Sequence, residues 1–191
     1  LNFLTQAVRR AVRSAATRSL EISFNKAVEC ARHLGEVGER RLMQVVLIAA
    51  SSMQQVGRIE EMKNLLTDIM PIAERDGNPL KAFGALCQLG NICWFEGDYP
   101  TGYDATLRAL SIAVEAASLP HVFAAQFMHG NMLFGLGRLE EAISVQRQLS
   151  ERLSGDLELS RLGAAIIPAS QAKTQIGWFQ KYTGEHEESL S

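Results

Sequence analysis

The strongest constraint on this 191-residue chain is a period. Gly57, Gly97 and Gly137 stand 40 residues apart, each followed by a charged and then an apolar residue. Seven residues before each glycine sits a small residue (Ala50, Gly90, Gly130). Five residues after come Met62, Gly102 and Ala142, and twelve after come Ile69, Ala109 and Leu149. Self-similarity at such a period is the mark of a repeat array, in which each unit is one supersecondary element. Glycine accepts the left-handed backbone that ends a helix, and a small residue about two turns earlier lets two helices approach closely. Each unit therefore reads as a helical hairpin. In the second unit the spacing predicts helices near Leu80–Glu96 and Pro100–Ala117, with Asp98 as the capping residue and Pro100 in the first turn.

Breakers separate the hairpins: Asp76-Gly77-Asn78-Pro79, Ser118-Leu119-Pro120, and a longer linker around Ser154–Asp156. Imperfect units flank the central three. Leu20, Phe24 and Ala27 match second-helix positions, with Ala15-Ala16-Thr17 in place of the turn glycine, and Gly177 and Gly184 restore the spacing at the other end. The resulting expectation is one all-α array over 1–191, with hairpins 1–36, 41–76, 80–118, 121–154 and 160–191, the last truncated. No hairpin buries its apolar face alone, so stability comes from stacking. Composition agrees. The 23 alanines and 23 leucines are about a quarter of the residues and favour helix, which argues against all-β, disordered, collagen-like or disulfide-scaffold classes.

Charge and cysteine narrow the function classes. Lys plus Arg is 19 against 21 for Asp plus Glu, which is no nucleic-acid binder's balance. Basic residues lead by eight to four over 1–41, and Arg9, Arg10, Arg13 and Arg18 suit a solvated face or docking surface better than a DNA reader. Cys30, Cys87 and Cys93 have no CxxC spacing and are expected as reduced thiols of a cytoplasmic protein. No apolar run reaches the ~18–20 residues of a membrane span. The chain, which opens on Leu and closes on GEHEESLS, is expected to be an excerpt of something longer.

Leu89-Gly90, Gly97, Tyr99 and Ala109, and again His129-Gly130, Gly137, Leu139 and Ala142, resemble the tetratricopeptide repeat in a degenerate form, with a period of 40 rather than the family's usual 34. The resemblance implies a right-handed superhelix of antiparallel hairpins whose first helices line a concave groove. Carried over position by position, that groove takes Gln44, Leu47 and Ser51 from one unit, and Cys87, Asn91 and Trp94 from the next. Phe127, Asn131 and Phe134 follow, and Trp178 from the last. Asn91 and Asn131 share the position where the family uses asparagine to bond a peptide backbone, and the four aromatics are interface-type anchors. The family's lysine clamp for a C-terminal carboxylate is absent, since its position holds Leu47, Cys87, Phe127 or Thr174. A narrower resemblance joins residues 7–36 and 89–110 to the tetratricopeptide tails of bacterial signalling proteins. Those proteins carry a nucleotide cyclase or transcriptional output domain and an AAA-type ATPase.

No catalytic constellation emerges: GxxxxGK(S/T), GxSxG and HExxH are all missing. His129 is expected as a satisfied interface histidine, and His186, within Glu185–Glu188, as part of a solvated helix start. No cofactor or metal is expected. The sequence reading is non-catalytic binding of a protein or peptide partner, or self-association, by a regulatory segment. Sensing of a small effector by the same concave surface is the alternative.

Overall fold

The computed structural model describes residues 2–160 and 168–183. Their regular elements are helical. In chain order they are α1 (Asn2–Arg13), α2 (Thr17–Arg32), α3 (Gly35–Gln55), α4 (Ile59–Arg75), α5 (Pro79–Glu96), α6 (Tyr99–Glu115), α7 (Leu119–Gly135), α8 (Leu139–Arg152) and α9 (Pro168–Thr183), with a 3-10 turn at Gly155–Leu157. The fold is all-α, built of antiparallel hairpins of the tetratricopeptide kind. It comprises two compact units, residues 1–92 and 93–191, divided within α5.

One device ends five of the helices. Gly57, Gly97 and Gly137 have φ of 85°, 77° and 74°. Around each, a pair of backbone bonds closes the helix end, as in Arg58 N–H to Met53 C=O at 3.1 Å and Arg138 N–H to Leu133 C=O at 2.9 Å. Ala15 and Ala117 make the same closure with φ of 51° and 48°, through Ala16 N–H to Ala11 C=O (3.0 Å) and Ser118 N–H to Ala113 C=O (3.2 Å). Asp98 caps α6 as the spacing predicts, its carboxylate accepting from Thr101 N–H at 3.4 Å. The expected start of the second hairpin at 41 differs from the observed one. Gly35, left-handed at φ 55°, opens α3 directly, and Gly38 is pressed onto the Ala31 carbonyl with no room for a Cβ.

In the first unit α1 packs on α2 and on α3, α2 on α3, and α3 on α4. The largest fully buried side chains there are Phe24, Met43, Met53, Met62, Leu66, Ile69, Leu86 and Ile92. In the second unit α6 packs on α7, α7 on α8, and α8 and α7 on α9. The small residues lie at these crossings. A Cβ on Gly130 would run into the buried Gln146 amide of α8, and one on Gly102 would come 2.9 Å from the Cβ of Cys93.

A staple, undetected from sequence, ties neighbouring hairpins in each unit. Arg58 binds Glu61 with two nitrogens and lies 5.5 Å over the Phe24 ring of α2. Arg138 binds Glu141 in the same way (2.7 and 2.6 Å) and lies 5.1 Å over Tyr103 of α6. The fork geometry of guanidinium supports both contacts at once. Its signature, Gly-Arg-x-Glu-Glu at 57–61 and 137–141, is legible once the contacts are known.

Candidate functional site

Ten residues were expected to face a groove, and none of the ten is buried. In the first unit Gln44, Leu47, Cys87 and Asn91 are half-buried and Ser51 is exposed. On the same helices Met43, Val46, Ala50 and Leu86 are sealed in the core. A helix with an apolar stripe turned inward leaves the other face for solvent or a ligand, and these residues sit on that face.

Polar links join neighbouring first helices along this face. Asn91 Nδ2 donates to Gln54 Oε1 at 2.7 Å, and Ser51 Oγ donates to Gln88 Oε1 at 3.0 Å. Gln44 Oε1 accepts from Arg41 at 3.0 Å. The Asn91 amide is thus already half-used, its NH2 engaged by Gln54. Burial pushes the Cys87 thiol up to about 12, so it stays protonated and behaves as a small apolar side chain.

In the second unit Trp94, Phe127, Asn131 and Phe134 are half-buried, and Trp178 is 36% exposed. Here too the asparagine bridges helices: Asn131 Oδ1 accepts from Gln175 Nε2 of α9 at 2.5 Å. Trp94, Phe134 and Trp178 come together, with Trp94 6.4 Å and Phe134 4.6 Å from Trp178. Tyr182, 60% exposed, closes the group at 5.1 Å from Phe134 and 6.1 Å from Trp178, and Tyr99 joins Trp94 at 5.7 Å. Sequence reading missed Tyr182, although its position one turn after Trp178 could have pointed to it. Phe127 is not part of this cluster. It packs with Phe123, Leu149, Leu153, Ala169 and Ala172.

His129 is the satisfied interface histidine expected. It is buried, its Nδ1 lies 3.0 Å from Thr106 Oγ1, and its ring lies 4.8 Å from that of Tyr103. Burial, with Arg138 nearby, holds its pKa below the ordinary value and outweighs Glu141. His186 and Gly184 lie outside the described residues. Among the described residues no three His, Cys, Asp or Glu side chains gather as a metal site, and no helix is long and apolar enough to cross a membrane.

No family model matches the sequence, and no curated protein does. Solved structures do match. Kinesin light chain TPR-like repeats from Podosopora anserina superpose with a TM-score of 0.79 at 13% identity, covering 100% of this chain and 90% of that one. BtubC from P. vanneervenii gives 0.65 at 17% identity over 93% of this chain and 67% of its own. MamA of RS-1 gives 0.65 at 14% over 98% and 89%. At these identities the likeness establishes the fold, a tetratricopeptide-like helical repeat.

Proposed function

We propose that this chain is a non-catalytic protein-interaction module whose first-helix faces take a segment of a partner protein. The observation that carries the reading is the pattern of exposure. None of the ten groove positions is fully buried while neighbours on the same helices are, and in the second unit three of these positions hold clustered aromatic rings. A repeat fold of this kind is an interaction scaffold. The resemblance of residues 7–36 and 89–110 to bacterial signalling tails supports a regulatory segment of such a protein, where the interaction would modulate an activity carried elsewhere.

Site-specific photocrosslinking tests this. A photoreactive residue at Ser51 or Phe127 should give a discrete cross-linked partner, and the same residue at Leu107, exposed on the second helix α6, should give none. Cross-linking from Leu107 alone would overturn the assignment of the face.

A further inference from the structure

We infer that the aromatic corner formed by Trp94, Phe134, Trp178 and Tyr182 is a cation-recognition site, built to take an arginine or lysine side chain of the partner segment. The inference rests on the interaction-module reading and adds the chemistry of what is recognised.

Ring geometry is the first support. Trp178 meets Tyr182 at an interplanar angle of 87° and Trp94 at 75°, and Phe134 meets Tyr182 at 75°. A near-perpendicular pair sets the edge of one ring on the face of its neighbour, and the ring faces left toward solvent carry the negative potential that attracts a cation. Phe134 and Trp178, 4.6 Å apart and inclined by 32°, are the more nearly parallel pair of the group. Exposure is the second. Tyr182 at 60% and Trp178 at 36% leave that corner reachable.

Electrostatics is the third. Trp94 and Phe134 lie in the last turns of α5 and α7, where helix carbonyls carry partial negative charge, and neither last turn contains a basic residue to offset it. Glu96 is exposed two residues beyond Trp94, and Asp98 follows it. Lys181, exposed three residues after Trp178, and Arg138, four residues after Phe134 and paired with Glu141, are the opposing charges. Over the whole unit the balance is acidic: residues 93–191 hold 7 basic and 12 acidic side chains, whereas residues 1–92 hold 12 and 9. The same chain already stacks guanidinium on rings twice internally, at Arg58–Phe24 and Arg138–Tyr103.

The protein's two tryptophans both lie in the corner, so intrinsic fluorescence reads the site directly. The probe is a blocked heptapeptide, Ac-GSGRGSG-NH2, against the same peptide with citrulline, which keeps the shape and loses the charge. The arginine peptide should change tryptophan emission saturably, with citrulline binding about three- to thirtyfold weaker. Trp178→Leu, read through Trp94, and Tyr182→Leu, at an exposed position the fold tolerates, should each remove that preference without loss of helicity. Lys181→Gln should tighten the arginine peptide. Equal binding of both peptides, no response to either, or a preference that survives both substitutions would overturn the site.

Cross-linking at Ser51 and Phe127 separates the two levels of the argument. If partner cross-links persist without arginine preference, the cation site fails and the module stands; if they vanish as well, both fail. One further outcome would change the occupant. A mass that rises with concentration above 21.0 kDa, and is restored by replacing Arg9, Arg10 and Arg13 with glutamine, would make the ligand a second copy of the chain and overturn the partner assignment.

Discussion

Ala117→Gly should make the protein more stable, and Gly137→Ala should make it less so, although both exchanges involve one methyl group in contact with little. Ala117 sits at φ 48° with an exposed side chain, and a Cβ on Gly137, at φ 74°, would find nothing within 4 Å. Packing is thus held nearly constant and the backbone conformation is isolated. An L-residue in the left-handed region pays about 1–2 kcal/mol. Glycine's extra freedom in the unfolded chain returns roughly 0.5–1 kcal/mol of that. The net is about 0.5–1 kcal/mol of stabilisation for Ala117→Gly and a similar loss for Gly137→Ala. For a chain of this size that is about 1–4 °C in Tm, in opposite directions. Ala15→Gly, at φ 51° in the other unit, should add independently to Ala117→Gly. Urea titration and thermal denaturation followed by far-ultraviolet circular dichroism measure both. The reasoning fails if Ala117→Gly lowers stability, or if Gly137→Ala leaves it unchanged.

Three further outcomes follow from contacts already described. Gly130→Ala and Gly102→Ala place a methyl against the buried Gln146 amide and against Cys93, so each should cost about 1–3 kcal/mol by denaturant titration, unlike the open turn glycines. His129 has a folded-state pKa below its ordinary 6.5, so the unfolded chain binds the proton first. Stability should hold above pH 6.5, fall as pH drops through that value, and level off below the folded pKa; His129→Phe should flatten this window in pH-dependent unfolding. Arg138→Gln removes a positive charge that depresses His129, so the His129 pKa should rise in a proton NMR titration; a fall would refute the assigned electrostatics.

Much of the fold was legible because its punctuation is chemical. Glycine at 57, 97 and 137 is what a left-handed helix end favours, and Asp98 ahead of Pro100 is a helix start written in side chains. Where alanine takes the same conformation, at 15 and 117, only the repeat register and the neighbouring breaker locate the turn, and the left-handed residue itself shows only in the backbone. The early start of α3 was hidden for a related reason: Gly35 opens a helix instead of following one, which reverses glycine's commoner place. The positions assigned to the groove came from the resemblance to the repeat family, which carried no information about their side-chain partners. Gln54 lies 37 residues from Asn91 and Gln175 lies 44 from Asn131, and no local pattern links side chains across such distances. The aromatic cluster was legible as composition at Trp94, Phe134 and Trp178, yet Phe127, equally aromatic and equally spaced, belongs to the packing of a different layer.

The bridging asparagines alter what this surface can discriminate. A partner backbone that reaches Asn131 meets a side chain whose oxygen already holds Gln175, so a new donor there trades one bond for another. A net hydrogen bond is worth only about 0.5–1.5 kcal/mol even when gained outright, and an exchange brings less. Such amides act as a fixed ruler rather than as glue. On the proposed reading they would set where an extended chain lies in register with the helices, and leave the choice between one chain and another to the rings beside them.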